Sequence, residues 1–120
     1  MVKKLLQPQE IEVFYVLPAL RRELAVSLKS AGNSQKDIAA LLGVTGAAVS
    51  QYFSSKRASQ IKFSAELKKA ISESAAKIAD DISLMNEVQK LLKLTRDERV
   101  ACQVHCLKGC NACYERSLPG

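Results

Sequence analysis

The sequence predicts an all-α fold: a helical bundle carrying a helix-turn-helix, with a helical, cysteine-containing C-terminal extension. Three observations carry this. Tryptophan is absent, and glycine (5) and proline (3) are scarce across 120 residues. The composition is otherwise dominated by residues that favour helix. Apolar residues recur at intervals of three and four through most of the chain. Helix start and stop signals separate these runs.

Residues 1–7 form a short basic lead-in with Lys3 and Lys4. From Pro8 to Ala31 an apolar stripe runs Val13, Leu17, Leu20, Leu24, Leu28. Pro18 interrupts it, because proline suits the first turn of a helix and disfavours helix at the residue before. The expectation is a short element over residues 10–16, then a helix from Pro18 to about Ser30. Ile11, Val13, Phe14 and Val16 are equally compatible with a short strand. Gly32-Asn33 supplies a stop, and Ser34 with Asp37 a new cap.

Residues 34–57, SQKDIAALLGVTGAAVSQYFSSKR, read as two short helices joined by a tight turn. Ile38, Leu41 and Leu42 are apolar on the first, and Ala39 lets the second cross closely. Gly43 gives the turn its backbone freedom. Thr45 caps a second helix running to about Phe53. Val49 and Phe53 share one face of it. The outward face is short and polar, as a major groove would admit.

This stretch, with the trailing Ser55-Lys56-Arg57, resembles the DNA-binding region of the phage-repressor-like (Cro/C1, XRE-type) helix-turn-helix family. The preceding block YVLPALRRELA, residues 15–25, is similar to one found in small archaeal transcriptional regulators that also carry C-terminal cysteines. The resemblance covers about residues 10–57. It implies double-stranded DNA as partner. Gln35 would buttress the motif or touch phosphate. Ser50 and Gln51 would read base edges, glutamine being able to bond adenine bidentately. Gly46 and Ala47 would permit close approach or meet thymine methyls. Thr45, Ser54, Lys56 and Arg57 would hold phosphates. Arg21 and Arg22 read as a solvated face or as phosphate contacts.

Charge agrees with this. The net charge is +6; residues 1–60 hold eight Lys/Arg against four Asp/Glu, and residues 61–120 hold ten against eight. The excess therefore sits with the motif. No run of 18 apolar residues exists and no signal-peptide cleavage pattern is present, so a cytoplasmic, non-membrane protein is expected.

The expected division is residues 1–60 as DNA-binding domain and 61–120 as a dimerisation and sensor extension. Residues 58–62 read as a polar linker. A second stripe follows: Phe63, Leu67, Ile71, Ser74, Ile78, Ile82, Met85. Its near-heptad rhythm suits either packing onto the helix-turn-helix or a homodimer surface. Asp81 could cap a helix over residues 82–93. Thr95 and Glu98 match a capping box, which predicts a further helix from Arg96 to about Lys108.

All four cysteines, Cys102, Cys106, Cys110 and Cys113, fall near the C-terminus with spacing C-x3-C-x3-C-x2-C, and His105 lies among them. On one straight helix they would spread along about 16 Å, too far for one metal ion. A stop at Gly109 would let them converge. The spacing of Cys106, Cys110 and Cys113 resembles the cluster loop of radical-SAM enzymes, so an iron–sulfur cluster is one reading. A structural zinc held by four thiolates, or by three with His105, is another. Buried free thiols and disulfides remain open beside these.

No catalytic constellation is visible: the chain has one histidine and no glycine-rich phosphate loop. The expectation is a non-enzymatic, dimeric, sequence-specific transcriptional regulator, responsive to redox state or metal. The alternative is an antitoxin or bridging-type protein-interaction module with a helix-turn-helix.

Overall fold

The computed structural model describes residues 7–54, 61–101 and 103, and these are all-α. Helix α1 spans Pro8–Ile11 and passes through a π-helical turn, Glu12–Val16, into α2, Leu17–Ser30. Helices α3, Gln35–Leu42, and α4, Gly46–Ser54, follow. The last two are α5, Ala65–Lys77, and α6, Asp81–Asp97. Helix α2 is central, touching α3, α4, α5 and α6. One hydrophobic cluster runs from Ile11 through Leu20, Leu24, Ile38, Val49, Leu67 and Ile71 to Leu91 and Val100. None of the described helices is long and apolar enough to cross a membrane.

The N-terminal stripe departs from expectation. Residues 10–16 form neither a strand nor an element separated from α2. Pro18 lacks an N–H, and its ring crowds the Phe14 carbonyl four residues back. The widened turn just before it takes up one extra residue, the Leu17 N–H bonding to the Glu12 carbonyl, and the chain stays helical. That extra residue re-phases the buried face. The fully buried large side chains are Ile11, Val16, Leu20 and Leu24, with Leu28 next. The first gap is therefore five residues, and the rest are four. Val13, expected in the core, is 56% exposed, and Phe14 is 44% exposed.

Two helix ends close as the sequence predicts. After α2, Gly32 at φ 100° donates to the Lys29 carbonyl, and Asn33 donates to that of Leu28. After α3, Gly43 at φ 66° donates to Ala40, and Val44 to Ala39. Each is the paired-bond closure that a left-handed residue permits.

The second half brings three corrections. Asp80, not Asp81, caps α6: its Oδ1 accepts from the Ser83 N–H at 2.8 Å, while Ser83 Oγ accepts from the Asp80 N–H at 3.0 Å. Thr95 caps nothing. It lies inside α6, 2% exposed, and its hydroxyl donates to the Leu92 carbonyl at 2.7 Å. Four residues after buried Leu91, it belongs to the inward face, so packing carries the helix through it. The chain turns at Arg99, φ 54°, so no helix starts at Arg96; Gln103 is helical, and the remainder of the expected helix to Lys108 lies outside the described residues. Arg96 makes a two-pronged ion pair with Glu12, at 2.7 and 3.1 Å, tying the end of α6 to the π turn. Residues 58–62 are not uniformly a polar linker, because Ile61 is 5% exposed and belongs to the core. The stripe from Phe63 to Ile78 packs inward, whereas Ile82 and Met85 are 67% and 59% exposed.

Candidate nucleic-acid interface

Helices α3 and α4 each start on a capping hydroxyl. Ser34 Oγ accepts from the Asp37 N–H at 3.1 Å, and Thr45 Oγ1 accepts from the Ala48 N–H at 3.1 Å. Between them, Gly43 holds the left-handed turn, where an added Cβ would meet only Leu84 Cδ2 at 3.9 Å. Ile38, Ala39 and Leu42 of α3 and Val49 of α4 are buried. The two helices therefore meet through their inner faces and lie on α2.

One side chain ties the starts of the helices together. Gln35 Nε2 donates to Ser50 Oγ at 2.7 Å and to the Gly46 carbonyl at 3.0 Å. Gln35, Gly46 and Ser50, predicted as separate site residues, thus form one exposed bracket. Ala47 and Gln51 are exposed beside it. A Cβ added at Gly46 would meet nothing within 4 Å, so the first turn of α4 is open outward. Thr45 is exposed as well, and its hydroxyl proton is free to donate outward while its oxygen caps the helix.

Ser54 is exposed at the end of α4. Its Oγ donates back to the carbonyls of Ser50 and Gln51, at 3.3 and 3.4 Å. Lys56 and Arg57 lie outside the described residues. So do Cys102, Cys106, Cys110, Cys113 and His105, and with them the zinc and iron–sulfur readings. Among the described residues, no group of three or more His, Cys, Asp or Glu could hold a metal ion.

A contact that sequence reasoning missed supports the far end of α4. The Lys29 ammonium lies 5.4 Å from the centre of the Phe53 ring, within cation–π range. The pair spans 24 positions and two turns, so no local pattern announces it. Lys29 and Lys36 are both exposed and place positive charge near α3 and α4. Arg21 and Arg22 are only half-exposed, and the Arg22 Nε is buried without a hydrogen-bond partner among the described residues.

The chain matches no protein-family model, no curated protein and no solved structure among those compared.

Proposed function

We propose that the chain is a sequence-specific DNA-binding transcriptional regulator, with α3 and α4 as a phage-repressor-like helix-turn-helix and α4 as the reading helix. The observation that carries this is the Gln35 bracket. It fixes α4 by its inner edge and first turn, and leaves Ala47 and Gln51 outward and unengaged. A helix fixed this way presents its outer side chains from a backbone that has no further freedom to lose on meeting a base edge. Gln51 reads bases, Gly46 and Ala47 allow close approach, and Thr45 donates to phosphate. Lys56 and Arg57 add phosphate contacts from the residues just after α4. Ser50 serves as a prop more than as a reader, since its hydroxyl already accepts from Gln35.

The regulator acts as a dimer. A lone helix-turn-helix reads a short half-site, whereas a two-fold pair reads two, one helical turn apart. The stripe available for pairing is short: Ile82, Met85 and Gln89, all exposed on one side of α6. The four cysteines form the input of the same proposal. Four thiolates are a donor set suited to zinc or an iron–sulfur cluster.

Footprinting on genomic fragments tests the reading. A short palindromic footprint is expected. Gln51→Ala should then cost roughly 1–3 kcal/mol at one base pair of each half-site. Sequence-blind, salt-sensitive retention together with a co-purifying protein would instead favour the interaction module.

A further inference from the structure

Helix α6 is held differently at its two ends. At the C-terminal end, side chains reach distant parts of the chain. The Arg96 guanidinium pairs with Glu12 through two bonds, at 2.7 and 3.1 Å. Glu98, just past the helix, accepts from Ser64 Oγ at 3.1 Å. Gln103 brackets Lys62: its Oε1 accepts from the Lys62 N–H at 2.7 Å, and its Nε2 donates to the Lys62 carbonyl at 2.6 Å. At the N-terminal end the polar bonds are local. Asp80 and Ser83 cap the helix between themselves, at 2.8 and 3.0 Å. Among the described residues, the side-chain hydrogen bonds of residues 79–86 all stay within that first turn and its cap.

The loosely tied end rests on the helix-turn-helix. Leu84 Cδ2 lies 3.9 Å from where a Cβ on Gly43 would stand. Leu41, Val44 and Leu84 are half-buried and pack on the same core. Two backbone bonds close the turn, Gly43 N–H to Ala40 at 3.3 Å and Val44 N–H to Ala39 at 3.0 Å. While Leu84 faces inward, Ile82 and Met85 face out, 67% and 59% exposed. The first turns of α6 therefore lie between the Gly43 turn and an apolar outer surface. Arg96 stands about 18 Å further along the helix. A helix moves as a rigid element over that length, so a small rotation at one end becomes a shift at the other.

We propose that α6 is a lever pivoted at Arg96, and that Leu84 at its free end is a positioning residue that sets the closure of the turn between α3 and α4. A second copy seated on Ile82 and Met85 tightens the turn through Leu84, and a closed turn strengthens the pairing in return. The second copy rests on the regulator reading above; the lever does not.

Amide hydrogen exchange of the full chain, followed by NMR, tests it. Val44 reports the turn and Leu24 in α2 reports opening of the whole fold, so each effect is read as Val44 relative to Leu24. Leu84→Ala is expected to speed Val44 about three- to tenfold, the scale of coupling carried by packed side chains. Leu84→Met should restore most of the protection. Arg96→Met separates a lever from local packing. A Leu84 that only fills space predicts no change at Val44 from a substitution at the far end of α6. The lever predicts an acceleration of about two- to fivefold, with little added when Arg96→Met is combined with Leu84→Ala. Arg96→Lys keeps the charge but not the two-pronged bond; it should fall between, and it stands in if Arg96→Met folds poorly. The lever is overturned if Val44 and Leu24 move together in Leu84→Ala, if both Arg96 variants leave Val44 unmoved, or if the two substitutions are additive. Raising the concentration until the wild type pairs should slow Val44 in the wild type but not in Leu84→Ala; pairing without a response at Val44 would also overturn it. A chain that stays monomeric at every concentration would remove the dimer from the regulator reading, and the Leu84 and Arg96 variants would still decide the lever.

Discussion

The Gln35 bracket permits a quantitative test of how α4 is held. Gln35→Ala removes two hydrogen bonds, at 2.7 and 3.0 Å. Both are exposed and neutral, so each is worth the low end of the net range, about 0.5–1 kcal/mol. Alanine returns roughly 0.4 kcal/mol through its better helix propensity. The net loss is therefore about 1 kcal/mol, a fall in Tm of roughly 4–8 °C for a domain near this size. Ser50→Ala loses only the 2.7 Å bond. The double variant separates the bond from propensity, because propensity terms cancel in the cycle. A coupling of about 0.5–1 kcal/mol between Gln35 and Ser50 is expected. Gln35→Glu should keep part of the stability, since Ser50 can donate to a carboxylate, while the Gly46 carbonyl loses its donor. Urea unfolding followed by circular dichroism supplies all four corners of the cycle. Additivity of the single variants to within roughly 0.3 kcal/mol would show that the side chains do not hold each other and would remove the main support for a fixed reading helix.

Three further outcomes are expected. Gly43→Ala should destabilise by about 1–2 kcal/mol, because its φ of 66° penalises a Cβ although space is open. Gly46→Ala, at ordinary φ in open space, should be neutral or stabilising by up to about 1 kcal/mol; equal losses at the two glycines in urea unfolding would contradict the turn geometry. The double change Ile82→Ser, Met85→Ser should abolish the dimer in sedimentation velocity while moving monomer stability by less than about 0.5 kcal/mol, as exposed positions do; a persisting dimer would place the interface elsewhere. Asp80 accepts the Ser83 N–H, which holds its carboxyl below the usual carboxylate range. A lowered folded value means the stabilisation is present above the unfolded value of about 3.9 and is lost as pH falls through the folded one. The stability gap between wild type and Asp80→Asn should thus be flat near neutrality and shift only below about pH 4; a gap unchanged down to pH 3 would refute the cap's role.

What the sequence made legible is what adjacent residues decide. The caps at Ser34 and Thr45 and the left-handed glycines after α2 and α3 are set within a few positions, and each is observed. The inward positions of α3 follow from spacing alone. Failures occur where a distant surface arbitrates. Thr95 and Glu98 have the spacing of a capping box, but that pattern cannot tell a cap from a buried threonine. Burial beside Leu91 and Leu92 decides it. Pro18 correctly flags a disturbance, yet its outcome is a widened turn that shifts the core from Val13 to Ile11 and Val16. The bracket from Gln103 to Lys62 spans 41 positions, and no local rule reaches that far.

Helix α4 is the element least able to hold itself. It has nine residues, below the length at which isolated helices persist in water, and Val49 is its only fully buried residue. Its position is imposed by groups outside it: Gln35 at the first turn, Lys29 at Phe53, and α2 beneath. A helix supported this way leaves its outer residues little structural duty. Gln51 and Ala47 make no side-chain hydrogen bond or ring contact among the described residues, although the residues beside them, Gly46 and Ser50, are held by Gln35. Were the pair of helices only a packing unit, nothing would require a short outer helix bracketed by a polar side chain, since a longer apolar helix would bury more surface and anchor itself. The combination of external support and an unengaged, small, polar outer face is the arrangement a groove-reading helix needs. On the regulator proposed above, it is on Ala47 and Gln51, where folding demands least, that function should weigh most.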